Sequence, residues 1–251
     1  MNDEIRLIPL RDIPEVHPGD DLATMIGDAV ERHGGGLIED DVVVVAQKVV
    51  SKAEGALVRL HEITPSVLAE TFAAAHDKDA RHVEVVLREA KRVVRMERGV
   101  LIVETRHGFI CANAGVDNSN VDGEEVLSLL PLDSDASARG IRDALQRRFG
   151  VRLAVIISDT FGRAWREGQT NIAIGVAGMD PLRSYVGQTD DYGYEMRVTS
   201  LCVADEIAGA AELVQGKVER VPVAIVRGAT YEPVDGSSQS IVRPPERDLF
   251  H

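Results

Sequence analysis

The segment DVVVVA at Asp41–Ala46 is an unbroken run of mostly β-branched residues, and it sets the class of the fold. Such residues suit a pleated strand, and a run without polar alternation is typical of a strand covered on both faces. A second run of this kind spans residues 151–158, and helical patterns lie before and between the two. The chain is therefore predicted to adopt an α/β (mixed α+β) fold in which strands alternate with helices.

The remaining elements follow from apolar periodicity and turn residues. The predicted helices span residues 22–33, 64–75, 83–95, 123–130, 136–149 and 198–214, and the predicted strands span residues 5–10, 41–46, 100–103, 109–111, 151–158 and 221–226. The absence of internal repeats and low-complexity linkers predicts one domain over residues 1–251, with a subdomain seam at residues 131–137.

The third predicted helix carries a group of basic side chains in an acidic protein. These residues are Arg88, Lys91, Arg92 and Arg95, followed by Arg98. A face of this kind is usually only solvated, and the alternative is that it helps the protein to tolerate anionic substrates.

The composition excludes several classes of function. The chain has 251 residues, a formal net charge of −13 and a pI near 5.0, which argue against nucleic acid or an anionic membrane as a partner. No apolar stretch reaches the roughly 18 residues of a membrane span, and the N-terminus lacks the pattern of a signal peptide. Cys111 and Cys202 lie far apart in apolar runs and are predicted to be buried free thiols. These features predict a cytoplasmic protein.

Two clusters of oxygen-bearing side chains follow predicted strands. The stretch NAGVDNSN at residues 113–120 contains Asp117, and SDTFGR at residues 158–163 contains Asp159 and Thr160. Two strand-end aspartates could share a divalent cation and a phosphate, because Mg²⁺ and Mn²⁺ take oxygen ligands and keep several waters. The alternative is that both clusters are turns in which Asp or Asn ends a strand.

Nearby basic residues could handle a phosphate. Lys48 and Lys52 follow the DVVVVA strand four residues apart and would share a face if the segment is helical, although two surface lysines are the alternative. Arg163 and Arg166 flank Trp165, where they could clamp an anion or only pack a rim. The common phosphate-binding loops, paired histidines and a Ser-His-Asp arrangement are absent from the sequence. The residues alone thus point to a phosphate-handling enzyme with a hard metal, such as a metal-dependent phosphohydrolase, or to a non-catalytic GTP-binding regulatory protein.

A series of uncommon sequence blocks, taken together, resembles the F420-0:γ-glutamyl ligase family. The blocks are IPEVHPGDDL (13–22), DVVVVAQKVVSKAEG (41–55), NAGVDNSN (113–120), SDTFGRAWREG (158–168), GVAG (175–178), DYGYE (191–195) and ADEIAGAAELVQGK (204–217). They occur in one order, and the resemblance covers the chain from residue 13 to about residue 228. It implies the family-specific F420 ligase fold and an intertwined homodimer.

The resemblance also implies an activity. The expected reaction adds L-glutamate to the phospholactyl carboxylate of coenzyme F420-0, using GTP and passing through an acyl phosphate, with release of GDP and phosphate. Further γ-linked glutamates could follow. Mg²⁺ or Mn²⁺, as two ions, would be required, and K⁺ would assist.

Site residues are implied by their positions in the matching blocks. Asp117 and Asp159 would be catalytic and, with Thr160, would bind the metal. The residues implied to contact GTP are Ile13, Pro14, Glu15, Val16, Gln47, Lys52, Asn120, Gln215 and Gly216. Gln47 departs from the family pattern, in which a small hydroxyl residue is expected.

Overall fold

The computed structural model describes residues 4–118 and 125–249. Its elements in chain order are β1 (Arg6–Leu10), α1 (Leu22–His33), β2 (Asp41–Ala46), α2 (Gln47–Ala53), β3 (Leu57–Arg59), α3 (Val67–His76), α4 (Ala80–Glu89), β4 (Ala90–Glu97), β5 (Val100–Thr105), β6 (Ile110–Ala112), β7 (Val126–Ser128), α5 (Ser134–Phe149), β8 (Leu153–Arg163), β9 (Arg166–Ala177), β10 (Leu182–Ser184), β11 (Ser200–Cys202), α6 (Val203–Gln215) and β12 (Val223–Arg227). The predicted mixed α/β class is confirmed.

A five-stranded sheet in the order β1-β12-β2-β8-β9 forms the centre of the fold. β2 and β8 run parallel, from the pair Asp41–Leu153 to the pair Ala46–Ser158. The other neighbouring strands are antiparallel. The carboxyl ends of β2 and of the paired part of β8 therefore meet at one edge of the sheet.

Helices cover both faces of this sheet. Val43 and Val45 join a core with α1 and α5, while Val42 and Val44 join a second core with α6. All four valines are fully buried. This burial explains why β2 reads as a continuous apolar run, and it confirms the prediction of a strand covered on both faces.

A smaller layered unit lies in the chain between β3 and β7. Its three-stranded antiparallel sheet has the order β4-β5-β6, and α3 and α4 share its core with residues such as Leu101 and Val103. β3 and β7 pair antiparallel with each other. The amide of Leu129 then donates to the carbonyl of Ala56 at 2.9 Å, so both ends of the unit return together to the main sheet.

Several predicted elements are confirmed. α1 has the predicted bounds, with Asp21 accepting a hydrogen bond from the Thr24 amide at its start and Gly34 in the left-handed region at φ 85° after its end. The predicted helix at 198–214 starts five residues late, at Val203, because β11 occupies Ser200–Cys202. Cys111 is buried, Cys202 is half-buried, and neither forms a disulfide in the described structure.

The predicted helix at residues 83–95 is wrong in its second half. α4 ends at Glu89 and the chain continues as β4, because pairing with β5 overrides the helical apolar spacing. The expected basic face therefore does not exist. Lys91 and Arg92 both contact the carboxylate of Glu104, at 2.6 and 2.5 Å, and Arg95 contacts Glu97.

The predicted helix at residues 123–130 is also wrong. Residues 126–128 form strand β7, which pairs with β3 from Leu57–Ser128 to Arg59–Val126. The pairing partner lies about 70 residues away in sequence, so local periodicity could not reveal it. Residues 119–124 lie outside the described structure.

The strand predicted at residues 151–158 is longer than expected. β8 continues to Arg163 and forms a hairpin with β9, with a register shift between Ile157 and Ser158. Asp159 and Thr160 therefore lie within a strand rather than in a turn, one and two residues beyond the last pair with β2. The predicted seam at residues 131–137, where α5 begins, stays a prediction. Among the helices of residues 4–118 and 125–249, none has the length and apolar character needed to cross a membrane.

Arg227 should be essential for stability because it neutralises a fully buried carboxylate. Asp41 accepts hydrogen bonds from Arg227 Nε at 2.9 Å and Nη2 at 2.8 Å, and its side chain is 0% exposed. We expect Arg227→Ala to lower the free energy of unfolding by about 3–5 kcal/mol, because it leaves Asp41 without its counter-charge. Urea unfolding at pH 7 measures this. The control Arg152→Ala breaks the exposed pair with Asp40 and should leave the free energy of unfolding almost unchanged. Equal losses would contradict the prediction.

Candidate active site

The candidate site lies at the edge where the parallel strands β2 and β8 end. α2 begins at Gln47, directly after β2, while β8 carries Asp159 just past its last pair with β2. The start of α2 and residue 159 are therefore neighbours by register. Carboxyl ends of parallel strands are a common place for ligand sites in α/β folds.

The smaller unit places Asp117 at this edge. It forms an isolated antiparallel bridge with Ser128, in which the Ser128 amide donates to the Asp117 carbonyl at 2.8 Å. The side chain of Asp117 then contacts Lys48, whose Nζ lies 2.8 Å from Oδ2. An ion pair between residues 69 positions apart in sequence thus ties α2 to the NAGVDNSN stretch.

Asp159 is half-buried in an environment that disfavours its charge. The pKa of its carboxyl is raised to about 6, mainly by burial, and the charge of Asp117 acts in the same direction. The amide of Thr160, which donates to Asp159 Oδ1 at 2.8 Å, and the charges of Lys48 and Lys217 act in the opposite direction. Asp117 and Asp159 are therefore within electrostatic reach of each other, and a cation between them would relieve their repulsion.

The residues at this edge fit a hard divalent cation that is completed by its substrate. In the described residues, no three or more His, Cys, Asp or Glu side chains form a ready-made metal cage. Mg²⁺ is nevertheless usually held by one or two carboxylates, with waters and substrate phosphates supplying the remaining oxygens. Asp117 and Asp159 match such a donor set.

Thr160 belongs to a separate polar group on the other face of β8. Neighbouring side chains in a strand point to opposite faces, and the Thr160 hydroxyl donates to Asn171 Oδ1 at 2.6 Å. Lys217, at the end of α6, contacts Thr160, Asn171 and Glu212, the last at 2.8 Å. The structure thus brings Asp117 and Asp159 together but places the Thr160 hydroxyl with Lys217.

Several of the described residues implied to contact GTP lie around this edge. Lys52 forms an ion pair with Glu15, and Arg220 lies 3.5 Å from the same carboxylate, so the loop that contains Ile13 and Pro14 is tied to α2. Val16 differs from these, because its side chain is buried in the core.

Gln47 and Gln215 are both buried beneath the site. Gln47 Nε2 donates to Ser51 Oγ at 2.6 Å and to the Leu129 carbonyl at 2.8 Å, which uses both of its amide hydrogens. Gln215 Nε2 donates to the Pro222 carbonyl at 3.1 Å, while its Oε1 has no partner in the described structure. Gly216 follows with φ 61°. Asn120 lies outside the described residues, so its role stays a prediction.

Sequence reasoning missed part of the site. Asn171 and Glu212 were not singled out, although Asn171 Nδ2 donates to Glu212 Oε2 at 2.7 Å and both contact Lys217. Glu212 precedes the notable Gln215-Gly216 pair by one helical turn, which is the signal that could have found it. Arg163, by contrast, lies far along the hairpin from Asp159. Its Nη2 donates to the Glu167 carbonyl at 2.7 Å and so stabilises the β8–β9 turn.

Removing the charge of Asp159 should stabilise the metal-free protein in a pH-dependent way. The folded pKa lies above the ordinary value of 3.8, so the folded state holds its proton more tightly and loses stability as pH rises from about 4 to 6. We expect Asp159→Asn to match the wild type near pH 4 and to exceed its free energy of unfolding by about 1–3 kcal/mol at pH 7.5. Urea unfolding in EDTA at both pH values measures this.

The control for this prediction is Asp191→Asn, which removes a carboxylate in an exposed loop and is measured in the same way at both pH values. An Asp159→Asn variant that is less stable than the wild type at pH 7.5 would contradict the prediction.

Comparison with known proteins identifies the family. The family model described as F420-0:Gamma-glutamyl ligase matches residues 11–228. Proteins named coenzyme F420:L-glutamate ligase are similar over nearly the whole chain. The one from Methanothermobacter thermautotrophicus is 44% identical over 249 residues, which cover 98% of each chain. The one from Methanopyrus kandleri is 45% identical over 251 residues, which cover 98% of this chain and 97% of that relative. A third, from Archaeoglobus fulgidus, is 40% identical over 247 residues, covering 98% and 96%. The chain therefore belongs to the F420-0:gamma-glutamyl ligase family and is an enzyme of the ligase class.

Proposed function

We propose that this chain joins L-glutamate to coenzyme F420-0 in a GTP-dependent reaction that forms an amide with the phospholactyl carboxylate. The observation that carries the proposal is the near full-length similarity to proteins named coenzyme F420:L-glutamate ligase. The clustering of Asp117, Asp159 and Lys48 at one sheet edge supports it, because phosphoryl transfer needs carboxylates for metal and cations for phosphate.

The first step of the proposed reaction activates the acceptor. A carboxylate oxygen of F420-0 attacks the γ-phosphorus of GTP, which gives an acyl phosphate and releases GDP. Asp117 and Asp159 would hold Mg²⁺ or Mn²⁺, as two ions, and the metal would supply charge neutralisation at the phosphates. Lys48 and Lys52 reach the same edge from one helix and would add positive charge around the polyphosphate.

The second step forms the amide. The amine of L-glutamate, having lost a proton, attacks the acyl carbon, and inorganic phosphate leaves with the electrons of the broken carbon–oxygen bond. No protein nucleophile is needed for either step. Added γ-linked glutamates would repeat the cycle on the new terminal carboxylate, and K⁺ would act as an accessory cation.

A product assay tests this proposal. The purified chain is incubated with GTP and Mn²⁺, with and without F420-0 and L-glutamate, and with K⁺ or Na⁺ as the monovalent ion. We expect phosphate release that needs both co-substrates and a deazaflavin heavier by one or more glutamyl units in mass spectrometry. Release of phosphate without either co-substrate would favour a phosphohydrolase, and GTP binding without turnover would favour a regulatory protein.

The two aspartates should be required for turnover in this assay. We expect Asp117→Ala and Asp159→Ala each to lower turnover by about 100-fold or more, because each removes a carboxylate that faces the transferring charge. The control is Asp143→Ala on α5, whose carboxylate contacts Arg142 away from the site, with turnover within about twofold of the wild type. Near-normal turnover of either aspartate variant would contradict the assignment.

We also propose that the working form is a homodimer that covers the outer surface of β4. This strand lies at the edge of the β4-β5-β6 sheet, and Val93, Val94, Val100 and Ile110 are exposed around it. An exposed apolar edge strand invites pairing with another chain. We expect Val94→Glu to reduce the dimer mass to that of a monomer in light scattering, and an unchanged mass would place the interface elsewhere.

A further inference from the structure

Lys48 places a positive charge directly on one of the two carboxylates of the candidate site. Its Nζ lies 2.8 Å from Asp117 Oδ2, and its side chain is 20% exposed, against 45% for that of Asp117. Lys48 is the second residue of α2, which begins where β2 ends, so its stem starts at the sheet edge. The ammonium therefore lies at the edge where Asp117 and Asp159 would hold a divalent cation.

The same ammonium acts on the second carboxylate of the site. Burial raises the pKa of Asp159, whereas the charge of Lys48 lowers it, so Lys48 lies within electrostatic reach of that carboxyl. Asp117 is in direct contact with the ammonium. Lys48 thus acts as a counter-ion for both carboxylates.

A divalent cation and the Lys48 ammonium compete for Asp117. Mg²⁺ lies about 2.0–2.1 Å from its oxygen ligands, so a metal on Asp117 Oδ2 would be within about 5 Å of Lys48 Nζ. A metal on the other oxygen would still share the carboxylate with the ammonium. Two carboxylates balance the charge of one divalent cation, and the ammonium then adds positive charge that nothing balances. Repulsion at such a distance is stronger at a protein surface than in bulk water, so Lys48 opposes binding of the metal alone.

Nucleotide phosphates reverse the effect of Lys48. They bring negative charge, which attracts the metal and the ammonium together. Lysine carries its charge on a flexible stem, so Nζ can turn from Asp117 to a phosphate oxygen while the backbone of α2 stays in place. A lysine that opposes the metal alone therefore favours the metal in company with a nucleotide.

We propose that Lys48 couples the binding of metal to the binding of nucleotide, because its ammonium holds Asp117 until metal and nucleotide arrive together and then passes to the phosphates. This inference rests on the proposed function, which supplies the metal and GTP. It gives Lys48 a role in selecting the metal–nucleotide complex over the free metal ion, beyond the charge that it adds around the polyphosphate.

A purely structural ion pair would behave differently. Lys48 and Asp117 lie 69 positions apart in sequence, and their contact could serve only to tie α2 to the stretch around Asp117. Loss of such a tie would misplace Asp117 and weaken the binding of metal and nucleotide alike. The coupling role predicts that the two affinities change in opposite directions.

Lys48→Met tests the proposal because it keeps an apolar stem and removes the charge. Binding of Mn²⁺ without nucleotide is measured at pH 7.5 from the electron paramagnetic resonance signal of the free ion. A non-hydrolysable GTP analogue is then titrated by calorimetry at saturating Mn²⁺. We expect Lys48→Met to bind Mn²⁺ alone about fivefold or more tightly than the wild type, and to bind the analogue about tenfold or more weakly. Lys48→Gln, a polar variant without the charge, should show the same two shifts.

The control Lys91→Met also removes one positive charge, from the exposed side chain that pairs with Glu104, and it should change neither affinity. Urea unfolding verifies that each variant is folded. Binding of Mn²⁺ alone that is unchanged or weaker in the Lys48 variants would overturn the proposal, as would wild-type affinity for the analogue. Neither measurement needs turnover. If the affinities shift in opposite directions while no glutamyl product forms, the proposed function fails and the role of Lys48 stands.

Discussion

The parallel pairing of β2 with β8 is the constraint on which the rest of the structure depends. Its register ends at Ala46–Ser158, and from that point the two strands behave differently. β2 turns at once into α2, which carries Lys48 and Lys52, while β8 runs on through Asp159 into a hairpin. A one-residue slip would turn Asp159 to the α6 face and bring Thr160 to the α5 face, because side chains alternate along a strand.

At the two ends of the parallel strands β2 and β8, the charge of a buried carboxylate is balanced in different ways. At the amino edge, Asp41 is fully buried and saturated by Arg227. At the carboxyl edge, Asp159 accepts from a backbone amide, and among the described residues no lysine or arginine lies within salt-bridge distance of it. The first arrangement stabilises the fold. The second leaves a charge that a bound cation can satisfy, and natural sites often give up stability in this way for function.

The sequence predicted four of the five strands of the central layer because their signals are local, and it missed β9 (Arg166–Ala177). The valine run at Asp41–Ala46 and the cap and stop of α1 need no distant partner, and both are confirmed. The smaller unit was predicted poorly, since β4 and β7 exist only through pairing with β5 and β3. The same limit applies to the site. Asp117 and Asp159 could be recognised in their sequence blocks, but the Lys48–Asp117 pair and the Lys217 group join residues 46 to 69 positions apart.

Because the chain carries a large negative charge, the local arrangement of its cationic groups determines where an anion can bind. A protein with a net charge of −13 repels anions at long range, and such repulsion is screened beyond about 10 Å at 0.1 M salt. Recognition must therefore come from contacts inside that distance. The described residues offer such contacts through the lysines near Asp117 and Asp159. These do not depend on a broad basic surface, and the basic residues of β4 could not provide one because Glu97 and Glu104 already neutralise Lys91, Arg92 and Arg95.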